Sequence, residues 1–222
     1  MASATNRRRL DVLLLWPNVV CYARASIVFC GLCFASFQPH AADARPFLVI
    51  AVYTLAMALD GVDGCLARRL GQESEFGAAL DVLVDNFSRG GMWVAACGCA
   101  GTLPLVLEML VLVCTHTEGG GAWKTGCFVD APKLVAAVMS NGFRSPLGAL
   151  TVAGLHFLPL WLWSVSRLPT GHPLASWWLG AAMVTGRSLG FVVEVWIVSR
   201  HAGHVLDRDA VALHERQAKR KD

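Results

Sequence analysis

Charge is scarce in this sequence. Asp, Glu, Lys and Arg make up only 16% of its 222 residues, against roughly a quarter in soluble domains. With 55% hydrophobic residues, that deficit excludes an ordinary soluble globule and points to a membrane protein. A net charge of +3 is too small to argue for a nucleic-acid partner. No internal repeat or low-complexity tract is visible. No A-x-A-like site follows the first apolar stretch, so a cleavable signal peptide is not evident. The triple glycine Gly119-Gly120-Gly121 lacks a following G-K-[ST] and is therefore no phosphate loop. The eight cysteines lie scattered through apolar segments, not in the polar loops of a disulfide framework. Cys30-x-x-Cys33 has no second ligand pair nearby, and the cysteines read as packing residues.

What the chain does have is long apolar runs. A bilayer core of about 30 Å needs roughly 20 apolar residues as helix. Six spans are expected, near 17–38, 46–67, 77–100, 102–118, 146–166 and 176–199, giving an all-α, polytopic bundle of six transmembrane helices. Residues 1–16 read as an interfacial helix, with Arg7 to Arg9 toward headgroups and Val12 to Trp16 dipping in. The membrane domain is expected over 17–199, and a charged tail in water over 200–222. An even number of spans and two basic termini place both ends in the cytoplasm. Ala131 to Ser140 suggests a short surface helix before the fifth span, with Lys133 on the surface. Trp161, Trp163, Trp177 and Trp178 read as interfacial anchors. His116 and His156 have no carboxylate at helical spacing and read as packing or interfacial residues.

Against this apolar background stand four acids: Asp60, Asp63, Asp81 and Asp85. An ionised carboxylate at membrane depth costs at least ~2.5–3.5 kcal/mol, and four together repel one another. Asp60 and Asp63 are three apart and Asp81 and Asp85 four apart, so each pair shares a helix face. The pairs sit near the facing ends of consecutive spans, where a short connection makes the helices antiparallel neighbours. Four convergent carboxylates form a hard, oxygen-rich site suited to Mg²⁺ or Mn²⁺. Gly61, Gly64 and Gly77 lack Cβ atoms and leave room for a flat base and a diphosphate. Arg68 lies one turn beyond Gly64 and can hold phosphate oxygens in a fork. The plainer reading is a set of helix-end acids paired with Arg68 and Arg69.

These residues form the pattern D-x2-D-G-x2-A-R-x8-G-x3-D-x3-D, from Asp60 through Gly64, Ala67, Arg68, Gly77 and Asp81 to Asp85. The pattern resembles the signature of the class-I CDP-alcohol phosphatidyltransferase family at every fixed position. Flanking stretches resemble its eukaryotic inositol-transferring branch. They are Pro17-Asn18 with Tyr22-Ala23-Arg24, Phe76-Gly77-Ala78, Phe143-Arg144-Ser145-Pro146 and Gly186-Arg187-Ser188. Asn86 departs from the arginine expected there, and the glycine-rich stretch from Thr115 to Cys127 also differs. Both departures bear on the acceptor rather than on the transfer chemistry.

The resemblance implies two divalent ions held by Asp60, Asp63, Asp81 and Asp85, with Asp85 also the general base. It implies a CDP-lipid site completed by Asn18, Arg24, Gly61, Gly64, Ala67, Arg68 and Gly77. Arg144 and Arg187 are candidates for the acceptor pocket or the lipid phosphate. The alternatives are headgroup snorkelling for Arg144 and pairing with Glu194 for Arg187. The expected partners are CDP-diacylglycerol, myo-inositol, membrane lipid and a second copy of the chain. In a eukaryotic cell the endoplasmic reticulum membrane is the expected location. Three other readings remain open: another acceptor such as glycerol 3-phosphate, serine or a different polyol; a non-catalytic lipid-binding protein; and an ion-coupled transporter.

Overall fold

The computed structural model describes residues 9–36, 45–119, 128 and 130–218, all in helices, turns or short connections. The helices long enough to cross or flank a bilayer are α1 (Trp16–Ser36), α2 (Arg45–Leu70), α3 (Glu75–Cys97), α4 (Thr102–Gly119), α6 (Pro146–Val165) and α7 (Trp177–Ala218). A helix of about two turns, α5 (Lys133–Met139), precedes α6. The expected fold is thus met: a polytopic all-helical membrane bundle.

By length and apolar composition five stretches qualify as spans: 16–35, 46–70, 75–117, 146–165 and 177–218. The third holds two of the six expected spans. A 3₁₀ turn at Gly98–Gly101 breaks it, with Gly98 at φ +61° supplying a backbone conformation that a side chain disfavours. The chain then doubles back, so that the Asn86 side-chain amide donates to the Glu108 carbonyl oxygen at 3.3 Å. α3 and α4 are therefore antiparallel neighbours.

Local sequence sets the other ends. α2 stops at Gly71, φ +61°, and Ser74 caps α3 by accepting from the Gly77 amide at 3.0 Å. Ser145 caps α6 in the same way through the Gly148 amide, with Pro146 in the first turn. The Trp16 amide donates to Gln72 Oε1 at 3.1 Å. That bond ties the start of α1 to the α2–α3 connection, so the end of α2 and the starts of α1 and α3 share one face of the bundle.

α1 packs on α2 and α3, α3 on α4 and α6, and α6 along α7. The α6–α7 seam is close because both helices present glycine. A Cβ on Gly186 would lie 3.2 Å from Gly154 Cα. Small residues allow this approach where the surrounding lipid is as apolar as the core and surface burial gives no drive. Two apolar clusters fill the interior. One gathers Ala35, Val49, Tyr53, Met92, Leu160 and Trp163, the other Cys114, Val135, Val138, Met139, Val193 and Ile197. Large apolar side chains such as Phe29, Phe34, Leu103 and Val106 stand exposed on the outer faces, as lipid-facing residues should.

Several expectations need correction. Trp163 is fully buried in the first cluster, while Trp177 and Trp178 are exposed as interfacial anchors would be. The short helix before the fifth span lays Val135, Val138 and Met139 into the second cluster, so only one side of it meets the surroundings. The last helix runs to Ala218 without a break at 199, because no proline interrupts it and Ala, Leu, Arg and Glu favour helix. At 42 residues it is about 63 Å long, twice a bilayer core. Of the N-terminal interfacial segment, residues 9–13 are helical with Leu10, Val12 and Leu13 exposed. Arg7, Arg8, Pro39, Lys124, Cys127 and Lys219 to Asp222 lie outside the described residues.

The α6–α7 seam generates a test. Gly186→Leu should destabilise the detergent-solubilised protein by ~1–3 kcal/mol or more through overpacking, read as a lowered unfolding temperature. The same change at Gly203, where an added Cβ meets nothing, should not.

Candidate active site

The four aspartates converge, and what lies between them is an arginine. Arg24, on α1, is fully buried. Its Nη1 bonds Asp60 Oδ1 and lies 3.4 Å from Asp63 Oδ2. Its Nη2 lies 2.8 Å from Asp81 Oδ1 and 3.3 Å from Asp85 Oδ1. The Asp81 carbonyl oxygen accepts from Nη2 as well, at 3.2 Å. Asp60 and Asp63 come from α2, Asp81 and Asp85 from α3. Three helices thus meet at one guanidinium. Sequence reasoning placed Arg24 beside the nucleotide site; the structure puts it at the centre of the acidic cluster.

One guanidinium does not balance four carboxylates; three negative charges remain uncompensated by it. Asp63 Oδ2 and Asp85 Oδ1 are buried and have no hydrogen-bond partner, since their approach to Arg24 lacks bonding geometry. Carboxylate oxygens of Asp60, Asp81 and Asp85 lie within 4.8 Å of one another, as do Asp63 and Asp81 oxygens with Cys21 Sγ. Excess negative charge, hard oxygen donors and orphaned lone pairs fit a divalent cation such as Mg²⁺ or Mn²⁺.

A cavity opens on each side of the cluster. The first, of about 170 Å³, is lined by Asn18, Asp63, Gly64, Ala67, Arg68, Gly77 and Asp81 among others. It lies between the N-termini of α1 and α3, whose helix dipoles favour an anion. Asn18 is buried and donates from Nδ2 to the Val12 carbonyl oxygen at 2.7 Å. Its Oδ1 lies where a Cβ on Gly77 would be 2.8 Å away. Of the residues expected around the CDP-lipid, Gly61 stands apart: it is exposed, lines neither cavity, and a Cβ there would meet nothing within 4 Å.

The second cavity, of about 240 Å³, is bounded by Asp60, Asp81 and Asp85 on one side and by Arg89, Glu108 and His156 on the other. Arg89 follows Asp85 by one helical turn. Its Nη1 lies 3.2 Å from Asp85 Oδ2, its Nε donates to Glu108 Oε2 at 2.7 Å, and its Nη2 donates to Asn86 Oδ1. Asn86, read from sequence as a departure from an expected arginine, is thus held by an arginine three residues along. His156 Nε2 sits 3.9 Å from Asp85 Oδ2. Gly142 and Phe143, at φ +65° and +66°, also line this cavity; a Phe in that conformation is strained.

Neither arginine expected near the acceptor lines the second cavity. Arg144 is exposed in the turn before α6, and Arg187 is buried and pairs with Glu194 along α7 at 2.9 Å. Glu194 rather than Arg187 reaches the cavity wall. Sequence reasoning gave Arg89 and Glu108 no role and read His156 as a packing or interfacial residue. The first two carried a signal, as charges within apolar spans; His156 was set aside because no carboxylate stands at helical spacing from it, and its partners lie on another helix.

Residues 14–120, just under half of the chain, match the family model described as CDP-alcohol phosphatidyltransferase. The chain is similar to CDP-diacylglycerol–inositol 3-phosphatidyltransferases of several eukaryotes. It is 41% identical to the one from Rattus norvegicus over 76 residues, covering 34% of this chain and 32% of the relative. The Arabidopsis thaliana enzyme 1 is 35% identical over 82 residues, 36% of this chain and 32% of the relative. The Schizosaccharomyces pombe enzyme is 28% identical over 101 residues, 46% of this chain and 40% of the relative. The matched segments thus span about a third to two fifths of these relatives' length. No solved structure gives a significant match.

The two motif glycines separate by substitution. Gly77→Ala should cost ~1–3 kcal/mol through its clash with Asn18 and Ser74. Gly61→Ala should leave stability unchanged or raise it by ~0.5–1 kcal/mol, the helix-propensity gain. Thermal unfolding in detergent measures both.

Proposed function

We propose that the chain transfers the phosphatidyl group of CDP-diacylglycerol to myo-inositol, giving phosphatidylinositol and CMP. The observation that supports this reading most directly is the placement of Asp81. It lies on the walls of both cavities, so a nucleotide diphosphate in one and an alcohol in the other would meet across the carboxylate cluster.

Arg68, with the dipoles at the starts of α1 and α3, would hold the diphosphate in the first cavity. Gly64, Ala67 and Gly77 keep that wall low, and the buried Asn18 stiffens it. Asp60, Asp63, Asp81 and Asp85 would hold the divalent ions, two of them and either Mg²⁺ or Mn²⁺. Such ions, when bound, supply charge neutralisation at the diphosphate and polarise the phosphorus under attack. Asp85 Oδ1, buried and without a hydrogen-bond partner although 3.3 Å from Arg24 Nη2, is the base that takes the acceptor's hydroxyl proton. The acceptor oxygen then forms its bond to the lipid-side phosphorus as the bond from that phosphorus to the CMP oxygen breaks. A positioned base contributes roughly 10²–10⁴-fold; alignment of the two substrates supplies much of the rest. Arg24 tethers the carboxylates before substrates arrive. Both termini are proposed to face the cytoplasm of a multi-pass protein, in the endoplasmic reticulum membrane if the source is eukaryotic, and the protein to work as a homodimer.

Radiolabelled inositol, glycerol 3-phosphate and serine offered with CDP-diacylglycerol in detergent micelles test the reading. Inositol should be incorporated and the others not; failure of inositol with success of another acceptor would reassign the substrate. Asp85→Asn should lower turnover by at least ~10²-fold while CDP-dependent thermal stabilisation survives. Equal turnover in variant and wild type would remove Asp85 as the base.

A further inference from the structure

Two residues lining the second cavity each keep one buried polar atom without a hydrogen-bond partner, and the two atoms are complementary. Glu108, from α4, is 5% exposed. Its Oε2 accepts from Arg89 Nε, but its Oε1 is buried with no partner. His156, from α6, approaches the same guanidinium: Arg89 Nη1 lies 3.3 Å from His156 Nε2. An arginine can only donate, so Nε2 is the acceptor and the ring proton sits on Nδ1. That Nδ1 is also buried with no partner. Arg89 thereby fixes one orphan acceptor and one orphan donor on two residues that line a single cavity together with Asp85.

A hydroxyl group both donates and accepts, and so answers both atoms. A phosphate or carboxylate has no proton to offer Glu108 Oε1. It would also meet the carboxylates of Asp85, Glu108 and Glu194, which line the same cavity. Arg89 and Arg187 pair with these same three carboxylates and so leave one negative charge in excess. Buried polar groups of this kind discriminate strongly because the wrong ligand leaves them unpaired.

We propose that Glu108 and His156 are the residues that select the acceptor, gripping hydroxyls of an uncharged polyhydroxy alcohol beside Asp85, with Arg89 as the positioning residue that aims both. The inference rests on the transferase reading and adds to it the residues that choose the substrate.

Steady-state kinetics of Glu108→Gln and His156→Phe in detergent micelles, with CDP-diacylglycerol saturating, supply the test. The KM for inositol should rise roughly tenfold or more in each, with kcat changing far less. Affinity for CDP, read by thermal stabilisation, should stay within about threefold. Glu108→Gln should also narrow the preference for inositol over glycerol 3-phosphate. If loss of Glu108 leaves Arg89 uncompensated and the protein unfolds, His156→Phe and His156→Asn carry the measurement, since neither removes a charge. An unchanged inositol KM in the folded variants overturns the assignment, as does a parallel loss of CDP affinity, which would mark both residues as merely structural. A wild-type protein that transfers to none of the acceptors fails at the earlier step, and the two failures are thereby told apart.

Discussion

The fold turns on a single electrostatic problem, four carboxylates within apolar helices, and Arg24 is the protein's own answer to it. Each acid alone would be costly in the bilayer. Together they would drive α2 and α3 apart. A guanidinium suits the place better than an ammonium would, because its planar fork can address several carboxylates at once. Nη1 reaches the α2 pair and Nη2 the α3 pair, so α1 becomes the staple that holds the two acidic helices together. The compensation is partial, and the excess negative charge keeps the cluster receptive to divalent cations.

A second charged knot lies one turn deeper along α3. Arg89 joins Asp85 to Glu108 of α4 and approaches His156 of α6. Burying an ion pair gives little net stability, since the desolvation cost offsets the Coulombic gain. Its value here is geometric. The knot fixes Asp85 from the side opposite Arg24, so the proposed base is held between two guanidiniums. It also sets the polar pattern of the cavity where an acceptor would lie. The apolar clusters and the glycine seam between α6 and α7 supply the rigid frame in which these charged groups keep their spacing.

Much of this was legible in the linear sequence. Hydropathy located the spans to within a few residues at most ends, because a bilayer imposes a minimum apolar length. The signature from Asp60 to Asp85 marked the acidic cluster, because its members lie on two consecutive helices joined by a short turn. The boundary of the last helix was less readable. Charged residues beyond 199 look like a solvated tail, yet they are also good helix formers, and nothing among them stops a helix already begun.

The residues by themselves determined that the chain crosses a membrane as helices, and that acids three and four positions apart share a face, since both follow from backbone periodicity and the cost of exposing polar groups to hydrocarbon. Only the tertiary structure decided which cation lies among those acids and which side chains form the far wall. Arg24 and Asp60 are 36 positions apart, and Arg89 and His156 are 67 apart. No local rule connects such distant positions; they meet because helix packing folds α1 over α2 and α3, and brings α4 and α6 alongside α3.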